Sequence, residues 1–137
     1  EEEREMIPYC EKSGVAVTPW SPLARGILAG VYKGGFDQGT TARSNGQDRS
    51  RTESLYRGRM DFEIASRVGI TAEKYGVRPA QIAIAWLLSK TAITCPVVGV
   101  SKVGLVAATQ LKLEVEDIDY LEALYEPVDN LLSLGAS

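Results

Sequence analysis

The chain has 137 residues, 45% of them hydrophobic and 24% charged, which is the balance of an ordinary globular protein and enough for one domain. A net charge of −3 offers no footprint for nucleic acid or an anionic membrane, and no apolar run reaches the roughly 18 residues that span a bilayer. Cys10 and Cys95 have neither metal-ligand spacing nor disulfide density, which points to a reducing cytoplasm, and the lack of histidine removes most zinc sites and Ser/His or Cys/His mechanisms.

Residues 1–13 read as a helix with Met6, Ile7 and Cys10 on its apolar side, closed by Gly14. Glu1, Glu2 and Glu3 suit a helix N-terminus and read equally as a solvated end. The β-branched run Val15 to Thr18 predicts a short buried strand that stops at Pro19, which cannot donate to a ladder. Next come Trp20, Ser21, Pro22, Leu23, Ala24, Arg25 and Gly26. Trp20 offers a face for stacking a flat ring. The Ser21 hydroxyl, the amides of Leu23 to Gly26 and the Arg25 guanidinium can all donate to anionic oxygens.

Residues 31–60 carry many glycines and arginines and little apolar periodicity, which predicts a long loop. Within it Arg43 follows Thr40 and Thr41, and it reads either as a solvated loop residue or as an anion contact. Asp61 to Tyr75 reads as a helix, with Ile64, Ala65, Val68 and Ala72 at three- and four-residue steps and Gly76 ending it. Pro79 suits the first position of a second helix. From Ala80 to Leu88 that helix is apolar nearly all round except at Gln81, so it should be buried, with Trp86 part of the packing.

A second strand is predicted from Ile93 to Val100, followed by a turn into a helix at Gly99, Val100, Ser101 and Lys102. Free amides, a positive helix end, a hydroxyl and an ammonium make an anion site there, with Gly99 allowing close backbone approach. Ser101 also serves as a simple N-cap, and the two roles are compatible. A closing helix from Asp117 to Glu126 should bury Ile118, Leu121 and Leu124 and stop at Pro127.

Trp20-Ser-Pro-Leu-Ala-Arg-Gly26 resembles the seventh-strand motif of the aldo-keto reductases. Arg78-Pro-Ala-Gln-Ile-Ala-Ile-Ala-Trp-Leu-Leu-Ser-Lys90 looks like that family's penultimate barrel helix. Ile93-Thr-Cys-Pro-Val-Val-Gly-Val-Ser-Lys102 looks like its eighth strand and cofactor loop, and Tyr120-Leu-Glu-Ala-Leu-Tyr-Glu-Pro127 falls in order after them. The resemblance implies an α/β chain forming the C-terminal part of a (β/α)8 TIM barrel. A whole barrel takes about 250 residues, so the barrel is incomplete here. Residues 1–137 are then one partial domain, the end of a longer polypeptide whose upstream half is its partner.

It further implies an NADPH-dependent reductase of carbonyl substrates, with no nucleic-acid, membrane or metal partner. Trp20 would stack on the nicotinamide, Ser21 to Gly26 and Arg43 would bind the pyrophosphate, and Gly99, Ser101 and Lys102 would hold the 2′-phosphate of NADP. The family's acid tyrosine and its supporting lysine, aspartate and histidine come from the first half of the barrel. None of Tyr9, Tyr32, Tyr56 or Tyr75 lies in a matching motif, so no catalytic residue is assigned and the chain alone is expected to be inactive. The sequence departs from the family where a glutamine and an asparagine usually face the adenine, with Leu105 and Thr109 there instead and Gln110 as a substitute. Two other readings stay open: a nucleotide-binding module without turnover, similar to channel-associated reductase-like subunits, and an inactive truncated remnant.

Overall fold

In the computed structural model the described residues are 2–32, 35–36, 48–56, 59–99 and 103–126. The first helix, α1 (Met6–Ser13), ends as the sequence requires: Gly14 takes a left-handed φ of 67°, and the Val15 N–H donates back to the Cys10 carbonyl at 2.9 Å. It starts later than predicted, residues 2–5 forming turns, and none of its residues is buried. Of the expected apolar side, Met6 is exposed and Ile7 and Cys10 are half-buried.

The two predicted strands lie side by side and run parallel, but as two isolated bridges, Val17 with Ile93 and Trp20 with Val97. The Val17 carbonyl accepts from the Thr94 N–H at 2.9 Å and the Pro19 carbonyl from the Val97 N–H at 2.8 Å. A continuous ladder fails for local reasons. The Val17 N–H donates to the Thr94 hydroxyl at 3.1 Å instead of to a carbonyl, and Pro19 and Pro96 have no N–H to give.

After the first strand the chain makes a 3-10 helix, Ala24–Ala29, that buries Ile27. Part of the segment predicted as a loop is helical: α2 (Asp48–Leu55). Its sequence is too polar to show a helical stripe, and Arg49 Nε reaches Glu53 Oε1 at 2.6 Å one turn on. Tyr32 is buried edge-on to Phe36 at 5.2 Å between ring centroids, and Phe36 is edge-on to Phe62 at 5.1 Å.

The core sits where the periodicity placed it. Helix α3 (Arg59–Tyr75) contributes Val68 and Ala72, α4 (Pro79–Leu88) contributes Ile82, and α5 (Val115–Glu122) contributes Leu121. Leu28, Tyr75, Val77, Trp86, Leu111 and Leu113 pack around them. Ile82 to Ala85 are four consecutive buried residues, as an all-round apolar helix demands. Pro79 occupies the first turn, and Arg78 before it is extended (φ −85°, ψ 149°), which is what a following proline imposes.

Beyond the second strand the expected helix is a 3-10 segment, Val103–Gln110, with Ala108 fully buried. Helix α5 begins two residues before the predicted Asp117 and ends four before Glu126, with the Glu122 side chain tied to Trp86 and Lys90 at its end. Leu121 is buried while Ile118 and Leu124 are half-buried. Pro127 lies outside the described residues.

Candidate functional site

The turn from Trp20 to Gly26 is the most strained backbone among the described residues. Ser21 (φ 54°), Ala24 (φ 47°) and Arg25 (φ 55°) are the non-glycine residues there with positive φ. Each such placement costs on the order of 1–3 kcal/mol and persists only where the surroundings impose it. Ile27, 2% exposed, and Leu28, against the core, anchor the far end of the turn. Inside it, the Ala24 N–H donates to the Ser21 carbonyl at 3.1 Å and the Gly26 N–H to the Leu23 carbonyl at 2.9 Å. Gly26 cannot be replaced freely. Its φ is 101°, and a Cβ would stand 3.1 Å from Val31 Cγ2.

Trp20 enters the turn with its indole 76% exposed, so the face expected to stack on a ring is open. Its bridge to Val97 brings the turn beside the second strand, two residues before Gly99. Gly99 is exposed, and among the described residues nothing lies within 4 Å of where its Cβ would be. The structure thus brings Trp20 to Gly26 and Gly99 to one end of the strand pair. Arg43, Ser101 and Lys102 lie outside the described residues.

Arg25 is half-buried. Burial raises the Tyr56 phenol above its usual range, the Asp61 carboxylate adds to the rise, and the Arg25 guanidinium opposes it. The Arg25 charge therefore lies close to the junction between α2 and α3. Of the adenine candidates, Leu105 is half-buried, and Thr109 is exposed with its hydroxyl donating to the Val106 carbonyl at 2.9 Å. Gln110 is exposed beside it.

A tyrosine, a lysine and an aspartate do meet elsewhere, 42 and 43 residues apart along the chain, where no local pattern signals it. Lys74 Nζ donates to both Asp117 oxygens, at 2.7 and 2.8 Å, and the Tyr75 hydroxyl donates to Asp117 Oδ2 at 2.6 Å. The Tyr75 oxygen in turn accepts the Glu114 N–H at 3.0 Å. The hydrogen bond to Asp117 raises the Tyr75 phenol above its ordinary value, with burial adding to the rise. A proton donor needs the opposite shift and a free face. This trio instead fastens the start of α5 to the end of α3.

Trp86 is core, as its surroundings in the sequence predict, with a polar tether: its Nε1–H donates to Glu122 Oε1 at 2.7 Å, and Lys90 pairs with the same oxygen. A cleft of about 410 Å³ lies between α3, α4 and α5, lined by Ile64, Val68, Ile82, Trp86, Leu121 and Tyr125 among others. None of the residues lining it belongs to the strand-end turn, so this cleft and the anion-binding candidates are separate features. Among the described residues no group of three acidic, cysteine or histidine side chains could hold a metal, and no helix is long and apolar enough to cross a membrane.

Residues 1–126 match the family model described as the aldo/keto reductase family. An aryl-alcohol dehydrogenase of Schizosaccharomyces pombe is 46% identical over 138 residues, covering 93% of this chain and 36% of the relative. The versiconal hemiacetal acetate reductase of Aspergillus parasiticus is 43% identical, covering 93% of this chain and 37% of its own length. A protein of S. pombe named as a voltage-gated potassium channel beta subunit is 25% identical over 122 residues, covering 89% of this chain and 34% of that one. The chain thus spans little more than a third of the length of the curated relatives it matches. With residues 1–126 matched, the chain belongs to the aldo/keto reductase family, whose members use NAD(P)H.

Proposed function

We propose that this chain is the cofactor-binding, C-terminal part of a (β/α)8 barrel that reduces carbonyl compounds with NADPH in the cytoplasm. The observation that carries the reading is the parallel pairing of Trp20 with Val97. It sets an open indole face and a left-handed turn of backbone beside Gly99, at the end of two strands where barrel enzymes gather their phosphate ligands. The residues fit a dinucleotide: a flat face for the nicotinamide, and exposed backbone at Gly99 that a ligand can approach.

Each residue then has one task. Trp20 stacks on the nicotinamide and fixes which ring face meets the substrate. The Ser21 hydroxyl and the Leu23 amide, with Arg25 and Arg43, hold the pyrophosphate, and Ser101 and Lys102 hold the 2′-phosphate. The Ala24 and Gly26 amides are spent inside the turn and shape it, correcting the expectation that they donate to the ligand. When bound, the cofactor supplies a hydride to the carbonyl carbon. The proton for the carbonyl oxygen comes from a tyrosine in the upstream half of the barrel, since Tyr75 is committed to Asp117 and Glu114. The names of the relatives favour an aryl aldehyde as substrate.

A second reading, a nucleotide-binding subunit without turnover, draws on the channel-subunit relative. One experiment separates the two. The intact protein bearing this chain should oxidise NADPH in the presence of 4-nitrobenzaldehyde, and Trp20→Ala should lower that rate at least about tenfold through lost stacking and orientation. Tight NADPH binding with no turnover supports the second reading. NADPH binding that Trp20→Ala leaves unchanged refutes both.

A further inference from the structure

The cleft between α3, α4 and α5 plays no part in the cofactor reading, and its chemistry is of the opposite kind. Its floor is aliphatic and buried, at Val68, Ile82 and Leu121, and two aromatic side chains, Trp86 and the exposed Tyr125, line it as well. At about 410 Å³ it falls inside the roughly 300–1,000 Å³ range of small-molecule pockets, which pair an apolar lining with a few placed polar groups. Among the described residues the charged groups lining it are Glu3 and Glu122, both carboxylates.

Glu122 is held there as an anion. Burial pushes its carboxyl up, but the hydrogen bonds from Lys90 and Trp86 and the Lys90 charge outweigh that, so it stays below its ordinary value of 4.5. The Trp86 Nε1–H, at 2.7 Å, and the Lys90 ammonium both donate to Oε1. Oε2 is left able to accept a further donor, and Lys90 is not among the lining residues. We propose that this cleft is a second small-molecule site, selective for a protonated aryl-alkyl amine. The ring lies on the aliphatic floor beside Trp86 and Tyr125, the ammonium donates to Glu122 Oε2, and Glu3 adds negative charge. Phosphates and carboxylates are repelled from it. The site is independent of the cofactor assignment, since it shares no lining residue with the turn from Trp20 to Gly26.

Three probes of one shape separate charge from fit: 4-phenylbutylamine, 4-phenylbutanol and 4-phenylbutyrate. Each is titrated by calorimetry into the intact protein with NADPH present, and the indole N–H resonances of Trp86 and Trp20 report the cleft and the turn separately. The amine should bind once per chain, about three- to tenfold more tightly than the alcohol, the gain of a charge-assisted over a neutral hydrogen bond, and the acid more weakly than either. It should shift the Trp86 resonance and leave that of Trp20 in place. Glu122→Gln keeps an oxygen for the Trp86 N–H and loses the charge. It should weaken the amine about three- to tenfold and leave the alcohol within about twofold. Ile64→Phe narrows the cleft and should weaken amine and alcohol alike.

The proposal is overturned if no probe binds at millimolar concentration, which is what a cleft filled by the rest of the barrel would give. It is overturned equally if the three bind alike, as on an unselective apolar patch, or if Glu122→Gln leaves the amine unaffected. An amine that shifts Trp20 and not Trp86 sits at the strand-end turn and refutes it too. Thermal melts check that the variants fold, and if Ile64→Phe does not, Glu122→Gln alone decides.

Discussion

Gly26→Ala is the substitution whose cost the structure lets one work out. Gly26 has a φ of 101°, a conformation L side chains rarely adopt, and forcing alanine into it costs about 1–3 kcal/mol. The new methyl would also stand 3.1 Å from Val31 Cγ2 and 3.4 Å from Val31 Cβ. Val31 is held in turn, since its N–H donates to the Gly26 carbonyl at 3.2 Å. Overpacking of that kind adds about 1–3 kcal/mol. The total, about 2–6 kcal/mol, is a large part of the 5–15 kcal/mol that keeps a typical domain folded. Gly14→Ala supplies the control. It shares a left-handed φ, 67°, but among the described residues has nothing within 4 Å of the added methyl, so it should cost only about 1–2 kcal/mol. In a Val31→Ala background the contact disappears and Gly26→Ala should cost only its backbone share. Denaturant midpoints of the intact protein and the four variants, the double mutant included, measure all of this. The reasoning is refuted if Gly26→Ala costs no more than Gly14→Ala, or if removing Val31 leaves its cost unchanged.

Two further outcomes follow from other parts of the molecule. Lys102→Ala should weaken NADPH binding about ten- to a hundredfold, the worth of a charge-assisted contact, and leave NADH binding nearly unmoved; titrating both cofactors by fluorescence checks it, and equal losses would contradict it. The clip between α3 and α5 sets a pH window. Hydrogen bonds from Lys74 and then Tyr75 hold Asp117 below its ordinary value of 3.8, so its contribution is complete above that value and lost as pH falls through the lowered native one. Lys74 is held above its ordinary 10.5, first by the same hydrogen bond, so its share is complete below that value and lost as pH rises through the raised one. Asp117→Asn should therefore lower the melting temperature throughout the neutral range, and the gap to wild type should close in acid. Thermal melts of both proteins across pH test this, and a gap that stays constant into acid would show that the clip does not titrate.

What the sequence revealed and what it hid divide along physical lines. Helix α3 was legible because its apolar residues recur every three or four positions, α4 because Pro79 opens a run that is apolar nearly all round, and Gly14 and Gly76 marked ends that the backbone does turn left-handed. The two strands were legible from their apolar, β-branched runs, the first stopped by Pro19 and the second interrupted by Pro96. Helix α2 was not, because its stability comes from contacts such as Arg49 with Glu53 rather than from an apolar stripe. The boundaries of α5 were missed because they are set from outside it, by Lys74 and Tyr75 at Asp117 and by Trp86 and Lys90 at Glu122. Partners 36 or 43 residues apart leave no local pattern. At the candidate site the residue types were readable, and the left-handed φ values of Ser21, Ala24 and Arg25 were not, since none of the three is a residue chosen for that conformation.

The two tryptophans, so differently housed, make the protein its own optical instrument. Trp20 meets solvent over three-quarters of its surface, whereas Trp86 packs on the core with its ring nitrogen bonded to Glu122. An indole in water emits to the red and is open to a dissolved quencher; one against hydrocarbon emits to the blue and is shielded. Acrylamide therefore silences the strand-end turn first, and the emission left behind reports the packing of α4 against α5. A molecule that stacks on Trp20 would protect it from the quencher without disturbing the blue signal, so occupation of the turn and loosening of the core register as separate colours in one spectrum.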